Sequence, residues 1–398
     1  MNVEDWLGKD NALGIEIWNK KYRNGDESFD AWLDRVSGGK DEVKQLILQK
    51  KFLFGGRILA NRGVKDKKYT LSNCYCCSPP EDSIESIFET AGKLARTFSY
   101  GGGVGIDLSK LAPRGAKVNN TAGESTGAVS FTDLYSMVTG LIGQQGRRGA
   151  LMLSLACDHP DVEEFIQLKT DLDRVTKANV SVRMSDEFMQ AVTDTKCSDY
   201  QLSFHRDETG ETISKTVDAS KIFQKLCDAN YDYGEPGILF WDTIKHGCLL
   251  SEYEDFTLCG VNPCSEQPLP AGGSCLLGSI NLAEYVTESG KFNMGEFETD
   301  VQIAVEALNE VLKEGLTLHP LQEQRDAVKK WKQIGLGIMG LGDMLVKMGI
   351  KYGSTESFEL CDDIGKKMFR SALIASANLK KGHDDWDDAL IRSEIYKR

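Results

Sequence analysis

A chain of 398 residues that is 41% hydrophobic and 27% charged is ordinary for a globular protein and too apolar to stay disordered, and its length suits one large domain with a smaller one. A net charge of −13 excludes a broad basic surface for direct DNA binding, although not a local pocket for small phosphorylated ligands. Eleven cysteines, an odd number, behind an N-terminus Met1-Asn2-Val3-Glu4-Asp5-Trp6 that shows no signal peptide, argue against a secreted disulfide framework.

No stretch approaches the length of a membrane span, so a cytoplasmic location and no membrane partner are expected. Residues 1–70 read as a helical region without chemistry, with Trp6, Leu13, Ile15, Trp18, Trp32 and Val36 scattered among charges. Asp41 to Phe54 reads as a helix closing at Gly55-Gly56. Asp82-Ser83-Ile84-Glu85 is a capping-box-like helix start, after which Ile84, Ile87, Phe88, Ala91, Leu94, Ala95 and Phe98 fall on one apolar face. Gly101-Gly102-Gly103 ends that helix, and Val104 to Leu108 is strand-like. A second helix runs through Phe131, Leu134, Tyr135, Val138 and Leu141 to Gly143, followed by a buried strand over Leu151–Leu155. Val180–Val182 then reads as a strand and Asp186–Val192 as a helix, and this alternation predicts an α/β fold. Residues 206–218 read as an exposed hairpin or loop, 219–231 and 297–315 as helices, and Gly335–Gly342 as an apolar glycine-rich stretch where backbones approach closely.

Three segments could carry chemistry. Gly101 to Gly105 follows a helix rather than a strand, so it is not a dinucleotide fingerprint, and no NTPase P-loop motif occurs. Gly143-Gln144-Gln145-Gly146-Arg147-Arg148-Gly149 holds two arginines between glycines beside amide side chains, which suits a phosphate or a base edge; a solvated basic turn is the other reading. Asn262-Pro263-Cys264-Ser265-Glu266, followed by Cys275, is the most specific. In an extended segment Asn262, Cys264 and Glu266 would point the same way, bringing an amide, a thiol and a carboxylate to one pocket. Zinc is the competing reading, but there is no C-x-x-C pair and no neighbouring His, and Cys74-Tyr75-Cys76-Cys77 is too crowded for tetrahedral ligation. No metal site is expected. Cys157, Cys197, Cys227, Cys248, Cys259 and Cys361 are expected to be small buried hydrophobes.

Taken in order, Leu71–Cys74, Glu81–Ile84, Gly101–Gly105, Thr126–Phe131, Gly146–Ala150, His159–Asp161, Asn262–Glu266 and Gly278–Leu282 resemble ribonucleotide reductase catalytic subunits. The resemblance is greatest to the bacterial adenosylcobalamin-dependent kind. It implies a ten-stranded α/β barrel over 71–398: a first half at about 71–260, a finger loop at about 261–270, and an incomplete second half from 271. Cys264 is implied to be the radical cysteine, enclosed in the barrel at the loop tip, with Asn262 and Glu266 activating the substrate. Cys74 and Cys275 are implied to be a redox pair within disulfide reach. Asp82, Ser83, Asn73, Gly103 and Arg114 match effector- or substrate-binding positions for a deoxynucleotide or ATP. Gln145, Arg147 and Arg148 match the loop that relays effector identity, and a third loop is implied at Asp171–Ala178.

The implied function is thiyl-radical reduction of ribonucleotides to deoxyribonucleotides. Adenosylcobalamin would be the cofactor, and an external dithiol of the thioredoxin type the reductant. The first few dozen residues are too few for an ATP-binding regulatory domain, which favours the cobalamin class. A homodimer is also within the range of assemblies implied. Two departures stand out. Cys76 and Cys77 occupy positions that are usually apolar in the family. The family also continues beyond the point matching Arg398, with a phosphate-binding turn, further strands and a cysteine-bearing tail. A complementing C-terminal chain is therefore expected, and the isolated chain is expected not to turn over. The alternative is a catalytically inactive nucleotide-binding fragment or regulatory protein.

Overall fold

The computed structural model describes residues 1–65, 67–118, 121–142, 149–206 and 209–380. These separate into two compact units. The first comprises 1–73, 275–319 and 332–380; the second comprises 74–274 and 320–331. Among the described residues no helix is long and apolar enough to cross a membrane.

In the first unit, the helices Val3–Leu7, Phe29–Ser37 and Asp41–Leu48 bury an aromatic cluster of Trp6, Trp18, Phe29 and Trp32, in which the Trp6 and Phe29 rings lie 5.3 Å apart. Arg35 is half-buried beside it, pairing with Glu27 at 2.7 Å and donating to the Arg62 carbonyl oxygen at 2.7 Å. The helix expected to reach Phe54 stops at Leu48. Lys50 turns into the left-handed region at φ 59°, and Phe52–Phe54 is a strand. Pairing decides this: Phe52–Phe54 runs antiparallel to Gly278–Ile280 and buries Phe52 and Phe54 at alternate positions, which no continuing helix could do. Leu277–Asn281 also pairs in parallel with Gly335–Met339, so the glycine-rich stretch begins as a strand, turns at Gly340 in the left-handed region, and runs into the helix Leu341–Met348. The helix Met294–Gly315 buries Phe297, Val301, Ala304, Leu308 and Val311 and packs along Thr355–Lys380.

The second unit is built on five strands, Cys74–Cys76, Gly103–Asp107, Leu151–Ala156, Asn179–Met184 and Gly237–Phe240, hydrogen-bonded in chain order and all parallel. Parallel neighbours need crossovers, and the helices Ile84–Ser99, Phe131–Leu141 and Ala219–Tyr233 lie within them. The strands alternate. Tyr75, Val104, Ile106, Leu151, Leu153, Leu155, Val180 and Val182 pack against those helices in one core. Cys74, Cys76, Gly103, Gly105, Asp107, Ser154, Asn179 and Arg183 therefore fall on the opposite face.

Ser83 caps the first of these helices by accepting from the Ser86 N–H at 3.2 Å, as its sequence predicts. Ile84 and Phe88 do not join the apolar face expected of them; they are 53% and 56% exposed. The buried stripe is centred on Ile87, Ala91, Leu94 and Phe98, and Phe88 lies roughly 90° round the helix from that centre. Within the polar segment at 206–218, Glu211–Asp218 is the second arm of an antiparallel hairpin whose first arm, Asp199–Arg206, begins earlier in the chain. Among the cysteines expected to be buried, Cys157 is, whereas Cys197 is exposed on a polar turn and the other four are half-buried.

Candidate active site

The strand Leu258–Val261 leads into Asn262, and the antiparallel strand Pro268–Pro270 leads away. The loop between them is a tight turn rather than an extended segment, so alternation is not what aims its side chains. Asn262 closes the turn. Its N–H donates to the Gln267 carbonyl at 3.2 Å, its Oδ1 accepts from the Gln267 N–H at 3.0 Å, and its carbonyl accepts from the Ser265 N–H at 3.0 Å. Ser265 adopts φ 70° to complete it. Asn262 is fully buried, and its Nδ2 has no hydrogen-bond partner among the described residues. A buried amide donor left in that state costs about 1–3 kcal/mol.

Cys264 lies at the tip. Partial burial, the Glu266 carboxylate and the Cys74 sulfur, in that order, lift its thiol above the ordinary range, because each disfavours the thiolate. The turn thus brings Cys264, Glu266 and Cys74 into mutual electrostatic range. The expectation that Cys264 is enclosed is not met: Cys264 and Glu266 are both exposed, because the loop tip projects at the starts of the strands rather than along their sides.

The starts of three strands define that position. Cys74, Gly103 and Asn179 are each the first residue of their strand. A Cβ on Gly103 would lie 2.9 Å from Pro263 Cγ, and Asn179 Nδ2 donates to the Pro263 carbonyl at 3.1 Å. One layer deeper, a Cβ on Gly105 would lie 1.7 Å from the Val261 carbonyl oxygen, so only glycine lets the loop stem pass. The glycines that open this strand are therefore a track for another piece of backbone. Deeper still, Asp107 accepts from Ser154 Oγ at 2.8 Å and pairs with Arg183 at 2.9 Å, and the Arg183 guanidinium lies 3.8 Å from the Trp241 ring centroid. This polar layer ends the site below. The layer is not fully satisfied, because the buried Arg183 Nε has no hydrogen-bond partner among the described residues.

The other expected residues divide. Cys275 is fully buried in the first unit, where its carbonyl accepts from the Asn73 N–H at 3.1 Å; the buried Asn73 Oδ1 has no partner among the described residues. Asp82 accepts from the Ala112 N–H at 2.9 Å and pairs with Arg206 at 2.8 Å. Arg114 forms a two-pronged pair with Glu164 at 2.7 and 3.0 Å, which keeps its guanidinium fully charged. Asp161 binds the N–H groups of Arg114 and Ala128, both at 3.0 Å, and so ties both ends of the loop between them. Ser83 is the helix cap and Gly103 faces the loop. Gln145, Arg147 and Arg148 lie outside the described residues. Asn179 and Arg206 were not singled out from the sequence. The only signal for Asn179 is a polar residue directly before an apolar strand, and Arg206 looks like any charge beside a polar loop.

Comparison with known proteins supplies the family. The model of the ribonucleotide reductase barrel domain matches residues 72–388. A vitamin B12-dependent ribonucleoside-diphosphate reductase of Mycobacterium tuberculosis is 34% identical over 314 residues, covering 78% of this chain and 43% of that protein. The protein of the same name from Thermoplasma acidophilum is 34% identical over 308 residues, covering 77% of this chain and 38% of its own length. The chain thus spans about two fifths of the curated relatives it matches. Among solved structures, the Actinobacillus ureae class Id ribonucleotide reductase alpha subunit superposes with a TM-score of 0.77 over 99% of this chain and 71% of that one; at 18% identity this speaks for the fold alone.

Proposed function

The chain belongs to the ribonucleotide reductase family, and on that premise we propose that it carries the thiol chemistry by which a ribonucleotide is reduced to its 2′-deoxy form. One observation carries the reading: a single turn brings the Cys264 thiol within range of the Glu266 carboxylate and the Cys74 sulfur, above a buried Asn262 amide with an unused donor.

The proposed roles follow from the residue types. A thiyl radical on Cys264 takes the 3′ hydrogen of the ribose and becomes a thiol. Glu266 accepts the 3′-hydroxyl proton, and Asn262 Nδ2 donates to a ribose hydroxyl. The 2′-hydroxyl then leaves as water. Cys74 and Cys275 supply two electrons and close to a disulfide, and Cys264 returns its hydrogen to the 3′ carbon. The balance is ribonucleotide plus dithiol giving deoxyribonucleotide, disulfide and water. An external dithiol of the thioredoxin type reopens the Cys74–Cys275 bridge.

Side chains do not start such a radical unaided. Adenosylcobalamin, in keeping with the vitamin B12-dependent relatives, supplies it when bound. The chain fits that demand at one point: the Cys264 thiol is exposed, so a bulky group can reach its sulfur. For the effector, a deoxynucleotide or ATP, we assign the region around Asp82, Ser83 and Arg114. Asp161 and Arg206 support it by fixing the loop and the aspartate there. Homodimerisation belongs to the same proposal.

The test is deoxyribonucleotide formation in the presence of adenosylcobalamin and dithiothreitol, with the remaining C-terminal portion of a relative supplied as a separate chain. Activity is expected for the wild type and none for Cys264→Ser, with effector binding retained. Turnover by Cys264→Ser would overturn the assignment.

A further inference from the structure

We propose that Cys76 and Cys259 form a second thiol pair, separate from the cysteines assigned to turnover, which a hydroperoxide closes to a disulfide that pins the stem of the loop to the first strand of the second unit. The two sulfurs lie 3.3 Å apart. Cys76 sits on the strand Cys74–Cys76 and Cys259 on Leu258–Val261, both in the second unit. Gly260 makes the approach feasible, because a Cβ there would lie 2.9 Å from the Cys76 sulfur. Bond formation requires the sulfurs to close to about 2.05 Å, roughly 1.3 Å of travel, which is within reach of side-chain rotation.

The surroundings fix one partner and leave the other reachable. The Cys76 N–H donates to the Gly273 carbonyl and its own carbonyl accepts from the Gly272 N–H, both at 2.9 Å, so its backbone is held on both sides. Cys76 is buried and Cys259 half-buried. Around them the Cys259 sulfur lies 3.6 Å from the Leu269 carbonyl oxygen and 3.9 Å from that of Cys77, and the Cys76 sulfur lies 3.7 Å from the Cys77 carbonyl oxygen. Its hydrogen bond to Cys259 and its burial hold the Cys76 thiol well above the usual range, so it stays protonated until its neighbour has reacted.

Cys259 is therefore the sulfur that meets the oxidant. It attacks the peroxide, the O–O bond breaks, an alcohol (water, from hydrogen peroxide) departs with the thiol proton, and Cys259 becomes a sulfenic acid. The Cys76 sulfur then attacks the sulfenic sulfur, the S–S bond forms, and hydroxide leaves with the Cys76 proton as water. Two thiols and one hydroperoxide give one disulfide, one alcohol and one water, with two electrons transferred. Nothing in this pairing depends on the chemistry at Cys264.

The experiment uses the full chain, reduced, desalted and exposed to graded hydrogen peroxide. It is then alkylated and digested without reduction, and the peptides are sequenced by fragmentation. The expected product is a link between Cys76 and Cys259, reversed by dithiothreitol, that appears before the exposed Cys197 is fully oxidised. In Cys76→Ala, Cys259 is expected to accumulate as a sulfenic acid captured by dimedone. Recovery of Cys76 and Cys259 as separately alkylated residues after Cys197 has been consumed would overturn the proposal, as would a link from Cys259 to Cys74 or Cys77 in place of Cys76. Mapping the wild-type chain decides the matter even if the variant fails to fold.

Discussion

At the scale of single residues, the functional proposal rests on how a turn sets the environment of one sulfur. Burial and the Glu266 carboxylate both disfavour the Cys264 thiolate and so raise its pKa. Removing the charge must lower it. Glu266→Gln is therefore expected to shift the pH profile of Cys264 alkylation to lower pH, so that at pH 8 Cys264 reacts faster than in the wild type; an unchanged or upward-shifted profile would mean that the carboxylate does not face the thiol. Asn179 acts one step away, through its hydrogen bond to the Pro263 carbonyl. Asn179→Ala is expected to leave the denaturation midpoint nearly unchanged, to alter the Cys264 alkylation rate, and to lower kcat more than it raises KM. A matched loss of stability with an unaltered alkylation rate would make Asn179 merely structural. Much of this was legible in the sequence, because Asn262-Pro263-Cys264-Ser265-Glu266 is a compact motif. The reason given for its convergence was not: an extended segment was expected, and a turn closed by Asn262 on Gln267 does the work instead.

At the scale of elements, what the sequence showed well was periodicity, and what it hid was pairing. The strand Leu151–Ala156 is visible as an apolar run because it is buried in a parallel sheet, and Asn179–Met184 is visible only through the alternation of Val180 and Val182 with polar residues. The strand Phe52–Phe54 was lost in the preceding helix because its pairing with Gly278–Ile280 spans more than two hundred residues of sequence, and three residues carry no period of their own. Gly101 to Gly105 was rightly kept from the dinucleotide reading, but only the loop stem passing over Gly105 explains why glycine is needed there. Gly105→Ala is expected to cost about 3 kcal/mol or more, since the new methyl group meets the Val261 backbone and cannot be relieved by rotating a side chain. Gly92→Ala, on the exposed face of the helix Ile84–Ser99 with nothing within 4 Å of the added methyl group, is expected to stabilise by about 0.5–1 kcal/mol. Urea denaturation of both variants checks the pair, and equal effects at the two positions would contradict the close passage at Gly105.

At the scale of the whole molecule, the family motifs gave more than composition could. Net charge and cysteine count narrowed the class of protein; the ordered run of motifs from Leu71 to Leu282 named the family that the barrel-domain match then supplied. The region proposed for the effector was the least legible part, because Asp82 and Arg114 have partners within the fold in Arg206 and Glu164, and those partners lie far away in sequence. The chain spans about two fifths of its curated relatives, so the decisive assay has to supply the rest. That measurement is the yield of 2′-deoxyribonucleotide from a ribonucleotide when the chain is combined with the C-terminal portion of a relative, adenosylcobalamin and dithiothreitol. The expected result is product from the wild type and product below detection from Cys264→Ser, Cys74→Ser and Cys275→Ser. Sustained product from Cys264→Ser, or none from the wild type while the same portion restores a relative's own N-terminal part, would contradict the assignment of thiyl-radical chemistry to this chain.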